Sequence, residues 1–580
     1  MAMINLTIND KKVAVEEGST ILEAAIKLNI KIPTLCHLDL HNVKMVNKAA
    51  SCRVCVVEVE GRRNLPPACA TPVFEGMVVK TNTIRCIKAR RTVVELLLSN
   101  HPKDCLVCQK NLHCELQALA AELNIREIKY KGERAKHPMD TSSKSIVRNM
   151  DKCILCRRCE TMCNDVQTVN VLSAVNRGFN TFIAPSMNLP MHETICTFCG
   201  QCVAVCPTAA LTEVNNIAKV WDAIVDKKKI VIVQTAPAVR VALGEAFGEE
   251  PGTIVTGKMV TALRQIGFDK VFDTDFAADL TIMEEASEFV HRLQHGGKLP
   301  ILTSCCPGWV KFFEHQFSDM LDIPSTSKSP HEMFGVIAKT YYAEKMGIDP
   351  HDICVVSVMP CLAKKFESAR PELSHDGMQD VDIVITTREL SQMLKEANIN
   401  LMTLQEDEFD NPLGESTGAG VIFGATGGVI EAALRTAYEW LTKETLEKVE
   451  FHDLRGFEGI KEAVVKVNDL DVKIAVAHGL GNARELLESI REGKTQYHAI
   501  EIMACPGGCI GGGGQPYHHG NIEILRKRME GIYKEDEGKT IRKSHENPYI
   551  QKLYEEFLGE PYGEKAHKLL HTHYEKRRKM

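Results

Sequence analysis

Eight cysteines of this chain fall in two runs of identical spacing, C-x2-C-x2-C-x3-C. The first run is Cys153, Cys156, Cys159 and Cys163; the second is Cys196, Cys199, Cys202 and Cys206, with Pro207 following. Three thiolates so spaced wrap one face of an iron–sulfur cubane, while the fourth turns away to the cubane held by the other run. The spacing therefore predicts one [4Fe–4S] cluster on Cys153, Cys156, Cys159 and Cys206, and a second on Cys196, Cys199, Cys202 and Cys163. Zinc takes four ligands, usually as two separated pairs, and fits two triplets with exchanged singles badly.

The double run is that of bacterial ferredoxins, and places a ferredoxin-like domain with two [4Fe–4S] clusters at 136–215. Two further ligand sets precede it. His101, Cys105, Cys108 and Cys114 form H-x3-C-x2-C-x5-C, a set that holds zinc or a [4Fe–4S] cluster. Beside two redox clusters a third is the better reading, in a small domain at 83–135 that opens on the helical RRTVVELLLSNH. Cys36, Cys52, Cys55 and Cys69 resemble a plant-type [2Fe–2S] set, although the Cys36–Cys52 loop is longer than that spacing. The alternative for these four is ordinary buried cysteines. Residues 1–82 read as a β-grasp domain. A hairpin turns at Asn9-Asp10, Ser19 caps a helix running to Leu28, and strands lie in CVVEVEG and MVVKTN.

The chain has 580 residues and 22 cysteines, enough length for about three to five domains. No apolar signal core opens it and no apolar run reaches membrane-spanning length. Those features predict a cytoplasmic protein whose cysteines bind metal rather than form disulfides. Seventy basic against 76 acidic residues give a net charge of -6, which offers nucleic acid no basic surface.

After Asn215 cysteines thin out and strands alternate with amphipathic helices. KIVIVQTAP, DKVFDTD, LPILTSCCP, DICVVSVMPC, VDIVITT and KIAVAHG read as buried strand ends opening into loops. The pattern predicts a two-lobed α/β domain with mainly parallel sheets over 216–580, closed by a helical and then extended tail. Three loops at strand ends carry cysteine: TSCCPGW, MPCLAKKFE and ACPGGCIGGGGQP. They supply Cys305, Cys306, Cys361, Cys505 and Cys509, four thiolates for another cubane and one to spare. Glycine in GGGG, without a following Lys-Ser/Thr, lets backbones approach closely rather than cradling phosphate. Glu285, Glu288 and Arg292 share one face of a helix by spacing, ordinarily a solvated stripe. Cys86 and Cys354 read as packing residues.

In their order and content the three cysteine loops resemble those of [FeFe]-hydrogenases, and the N-terminal ligand sets resemble the long, monomeric clostridial type. The resemblance implies an H-cluster: a [4Fe–4S] cubane joined to a diiron unit bearing CO, cyanide and a bridging dithiolate, installed by maturation proteins. It assigns the cubane to Cys306, Cys361, Cys505 and Cys509, with Cys509 bridging to the diiron unit. It makes Cys305 the proton donor, and Glu285, Ser325, Glu288 and Arg292 the rest of a proton route, with Arg292 anchoring the outer carboxylate. Lys364 would offer its ammonium to a cyanide, Ala236 and Pro237 their backbone to the other, and Met359, Met503 and Phe423 would pack around the unit. Of the KK pair, Lys365 reads as the surface residue.

The reaction implied is 2 H+ + 2 e− ⇌ H2, with one [2Fe–2S] and three accessory [4Fe–4S] clusters carrying electrons to or from ferredoxin or flavodoxin. Two other readings stand: the hydrogen-activating subunit of an NAD(H)-linked, electron-bifurcating complex, and a hydrogen sensor or electron-transfer subunit. No signalling domain is visible for the sensor, and Cys305 speaks against impaired proton delivery.

Overall fold

The computed structural model describes residues 2–38, 50–468 and 470–578. Strands Met3–Ile8 and Lys11–Glu16 pair antiparallel about Asn9 and Asp10. Both turn residues are left-handed, at φ 48° and 66°, a conformation that Asn and Asp tolerate in tight hairpins. Met3–Ile8 then pairs parallel with Val78–Lys80, which pairs antiparallel with Glu58–Val59. These two short strands are all that CVVEVEG and MVVKTN contribute. The helix Ile21–Lys27 packs on the sheet, completing a β-grasp unit. Its cap is Thr20, not Ser19 as the sequence suggested. The Thr20 hydroxyl accepts from the Glu23 N–H and the Glu23 carboxylate accepts from the Thr20 N–H. That reciprocal pair satisfies two orphan donors, where a serine one position earlier would satisfy none in register.

The helix Ile84–Asn100 ends at His101, and Glu115–Glu122 packs near it. In the ferredoxin-like unit Ile146–Arg148 pairs antiparallel with Leu211–Glu213. The internal repeat appears as matched backbone: Arg157 (φ 63°) and Gly200 (φ 75°) are both left-handed, and each opens a short helix bearing the third cysteine of its run.

Beyond Asn215 the chain forms two four-stranded sheets. One has the order Lys270–Asp273, Ile230–Thr235, Ile353–Met359, Ile383–Thr386, all parallel. The other has the order Ile301–Leu302, Ala499–Met503, Leu470–His478, Ile460–Val467. Ile460–Val467, which the sequence reading missed, is an antiparallel edge. Its KEAVVKV pattern alternates exposed and covered positions, as a one-sided edge strand does. The six strands expected from sequence are all present, together with Ala499–Met503 ahead of the third cysteine loop. All three cysteine loops leave the carboxyl ends of parallel strands, two from one sheet and one from the other. Such ends form the crevice where α/β domains hold ligands.

The ferredoxin-like unit docks on this crevice through the glycine run. A Cβ on Gly513 would lie 2.7 Å from Gly200 Cα and 2.8 Å from the Cys199 carbonyl oxygen. The Gln201 side chain donates to Gly511 O at 2.9 Å and Gln167 donates to Ala504 O at 2.8 Å. The chain closes with the helix Glu564–Leu570 and an extended segment. No described helix is long and apolar enough to cross a membrane.

Candidate active site

The strand Ile301–Leu302 delivers Cys305 and Cys306, and the helix Pro307–Gln316 starts at once, with proline in its first turn. Proline there loses no hydrogen bond. Backbone N–H groups of Ala504, Trp309 and Gly308 point at the Cys306 sulfur, with Ala504 N at 3.4 Å. Ile353–Met359 delivers Cys361, and Ala499–Met503 delivers Cys505 and Cys509.

These thiols converge. Burial pushes the Cys361 thiol up, and Cys306 and Cys509 push it further. Cys505 is raised by burial and then by Cys361, Cys306, Cys199 and Cys509. Burial raises Cys509 to about 12. Thiolates so crowded persist only when a metal replaces their protons, so the donor set fits a cluster.

The accessory sets gather in the same way. Cys153, Cys156, Cys159 and Cys206 line one small cavity, and Cys163, Cys196, Cys199 and Cys202 line another. This is the exchanged pairing read from the spacing. Cys505 Sγ lies 4.0 Å from the Cys199 carbonyl oxygen, so the second of these sites abuts the strand-end crevice. In the β-grasp unit Cys36 reaches both Cys52 and Cys69, and Cys55 Sγ lies 3.3 Å from Cys69 Sγ. Residues 39–49, within the long Cys36–Cys52 loop, lie outside the described residues. Of the His/Cys set, Cys105 is exposed while Cys108 and Cys114 are half-buried. Burial and then Lys152 hold His101 near pKa 4, a neutral imidazole fit to be a ligand. Its buried Nδ1 has no partner. Lys152 Nζ also lies 3.3 Å from Cys108 Sγ.

Cys305 is buried, and burial followed by the Glu285 charge raises its thiol well above the usual range. Glu285, Glu288 and Arg292 line one face of the helix Thr274–His295, but the two carboxylates there are buried and Arg292 is half-buried, so the face is not a solvated stripe. Ser304 donates its N–H to Glu285 Oε1 at 3.2 Å, while its hydroxyl, also 3.2 Å from that oxygen, donates to the Ser327 carbonyl at 2.6 Å. Burial, with the Glu288 charge, holds Glu285 near pKa 7. The Ser325 hydroxyl stands between the two carboxylates and donates to Glu288 Oε2 at 3.0 Å. Arg292 pairs with Glu288 and donates to the Ile323 and Pro324 carbonyls. Sequence reasoning missed Ser304, although it stands next to Cys305 in the TSCCPGW loop.

Lys364 Nζ donates to the Cys305 carbonyl at 3.1 Å and to Glu367 Oε2 at 2.7 Å. Burial favours the neutral amine, but Glu367 overrides it and the net direction is up. An ammonium has three donors, which leaves one for a ligand. Lys365 is not a surface residue: it is buried, bonded to Glu389 at 2.7 Å and to the Val214 and Val384 carbonyls. Successive residues of one helical turn point about 100° apart, and here both directions lead inward. Ala236 and Pro237 follow the strand Ile230–Thr235, with Ala236 N bonded to Val358 O at 3.0 Å. Pro237–Val239 packs against Ile422–Gly424, which carries Phe423. Met359 and Met503 are the buried last residues of their strands. Cys86 and Cys354 are buried packing residues.

Family models match along the chain. Residues 229–513 match the iron only hydrogenase large subunit, C-terminal domain, and 522–577 the iron hydrogenase small subunit. Residues 1–84 match a 2Fe-2S iron-sulfur cluster binding domain, 90–129 the NADH-ubiquinone oxidoreductase-G iron-sulfur binding region, and 152–210 a 4Fe-4S dicluster domain. The NADP-reducing hydrogenase subunit HndD of Solidesulfovibrio fructosivorans is 64% identical over 100% of both chains. Iron hydrogenase 1 of Clostridium pasteurianum is 41% identical over 99% of this chain and 100% of its own. A solved structure of a variant of [FeFe]-hydrogenase HydA1 from Chlamydomonas reinhardtii, 43% identical, covers 63% of this chain and 99% of its own with a TM-score of 0.57.

Proposed function

The chain belongs to the [FeFe]-hydrogenase family of oxidoreductases, and on that premise we propose that it interconverts protons and H2 at a diiron H-cluster fed by four accessory clusters. The observation that carries this reading is the convergence of buried thiols from three strand-end loops beside Cys305 and a buried carboxylate relay. Cys306, Cys361, Cys505 and Cys509 would hold the cubane, and Lys364, Ala236 and Pro237 would meet the ligands of the diiron unit. When bound, that unit supplies the site where H2 is cleaved or formed. The chain's own part is to move the proton. Cys305 Sγ exchanges it with Glu285, Ser325 passes it on by trading its hydroxyl proton, and Glu288 takes it up outside. Glu285 suits this task because its pKa near 7 lets it hold or release a proton at working pH. One [2Fe–2S] on Cys36, Cys52, Cys55 and Cys69, one [4Fe–4S] on His101, Cys105, Cys108 and Cys114, and the two ferredoxin-type cubanes would carry electrons.

For the electron partner we infer a nucleotide-binding subunit of a nicotinamide-linked complex in which this chain is the hydrogen-activating subunit. The full-length likeness to an NADP-reducing subunit supports this, as does the match at 90–129. The full-length likeness to Iron hydrogenase 1 favours a second reading, a monomer exchanging electrons with ferredoxin or flavodoxin. The test is H2 formation by maturated protein, given reduced viologen, reduced ferredoxin or NADPH in turn. Activity with viologen, lost in Cys305→Ser, supports the chemistry. Ferredoxin-driven activity of an isolated single chain contradicts the complex, whereas dependence on a co-purifying nucleotide-binding subunit supports it.

A further inference from the structure

The hydrogen-bonded relay does not end at Arg292. Glu288 Oε2 also accepts from the Thr326 N–H at 3.0 Å and lies 3.2 Å from the Thr326 hydroxyl oxygen. That hydroxyl lies 2.7 Å from Nδ1 of His571, in the C-terminal segment, and His571 Nε2 lies 2.9 Å from Glu284 Oε2. Glu284 already accepts from the Tyr554 hydroxyl and, at 2.9 Å, from the Tyr562 N–H. A carboxylate so placed only accepts, so Nε2 carries its proton and Nδ1 is the bare nitrogen of a neutral imidazole facing Thr326. The tail is fastened in this position: Lys328 N–H donates to Leu570 O and Thr572 N–H to Thr326 O, both at 2.7 Å. On its outer side the buried His571 ring stacks at 4.6 Å on His567, which is exposed.

We infer that His571 is the proton-loading group of the relay, holding one proton beside Glu288 for delivery inward and taking one up from it in the reverse direction. The inference rests on the relay reading above. The transfer balances without any further reactant. A proton on Glu288 passes to Thr326 Oγ1 as the hydroxyl proton of Thr326 passes to Nδ1. Glu288 is left a carboxylate, Thr326 an alcohol, and His571 an imidazolium hydrogen-bonded to Glu284. The charged or titratable groups facing the imidazole are Glu284 and Glu288 on one helix, Tyr562 and His567 on the tail, with Arg292 behind Glu288 and Tyr554 behind Glu284.

The test uses the full-length, maturated protein, comparing His571→Gln, Glu288→Gln and parent. Glutamine keeps a donor for Glu284 but cannot titrate. His571→Gln is expected to lower H2 formation by about tenfold at the alkaline end of the profile, where protons are scarce, and little at the acid end. Glu288→Gln is expected to lower it at every pH. A second readout needs no turnover: in 15N-histidine NMR, His571 should be the Nε2–H tautomer when neutral, and its titration should move in Glu288→Gln. A His571→Gln profile superimposable on the parent's, or a His571 titration indifferent to Glu288, overturns the inference while Glu288→Gln still fails. If Glu288→Gln keeps full turnover, the relay itself is wrong and the loading role falls with it.

Discussion

The ammonium of Lys364 and the carboxylate of Glu367 meet at 2.7 Å with both side chains buried, and His331 Nε2 closes on the same oxygen from the other side at 2.7 Å. The pair fixes where Lys364 points. Burial alone would raise Glu367, but Lys364 and then His331 outweigh it and hold the carboxyl near pKa 2.

A carboxyl held low contributes stability that is present above its unfolded value near 4.5 and is lost as pH falls toward 2. Glu367→Gln should abolish that acid-limb dependence in a thermal-midpoint series against pH. It should also destabilise the protein by about 3–5 kcal/mol at neutral pH, because Lys364 is left buried without its counter-charge. An unchanged acid limb would mean that the pair carries no charge.

Glu285 has the opposite sign. Its carboxyl, raised by burial from 4.5 to about 7, binds its proton more tightly in the folded state. The stability it contributes is complete below pH 4.5 and is lost as pH rises to about 7. Above that pH the loss amounts to about 3 kcal/mol at 1.36 kcal/mol per pH unit. Glu285→Gln, neutral throughout, should therefore gain on the parent across this window while losing turnover by about 100-fold or more. Chemical denaturation at several pH values, paired with H2 assays, checks both halves.

Gly513→Ala would drive a methyl group into the Gly200 backbone, since the added carbon would sit 2.7 Å from its Cα. Relief of that overlap costs about 1–3 kcal/mol and must part the ferredoxin-like unit from the strand-end crevice. Electron-dependent H2 formation should fall. H2/D2 exchange, which needs no electrons from outside, should persist. Equal loss of both would place the damage in the site rather than at the junction.

The cysteine groups were legible because cluster ligation imposes local spacing, and the parallel strands because buried runs of β-branched residues have few other homes. What was not legible depends on partners far apart in sequence. Lys365 is buried by Glu389 and by the Val214 and Val384 carbonyls, none of which its own neighbourhood announces. His571 reaches Thr326 across 245 positions, so a tail that reads as an amphipathic helix with an extended end hides a buried imidazole. Ser304 stands beside Cys305 in the first cysteine loop, and it holds Glu285 only because that loop faces the helix carrying the carboxylate. The cap of the first helix moved by one residue, from Ser19 to Thr20, because position 23 is a glutamate that reciprocates.

On the proposed reading Cys306, Cys361, Cys505 and Cys509 jointly carry a cubane bearing the diiron unit. Infrared spectroscopy of the maturated protein under H2 and under argon checks this. Bands of metal-bound CO and cyanide are expected that shift between the two gases and vanish in Cys361→Ser. Iron-loaded, maturated protein without such bands, or with bands indifferent to H2 and to Cys361, would contradict it.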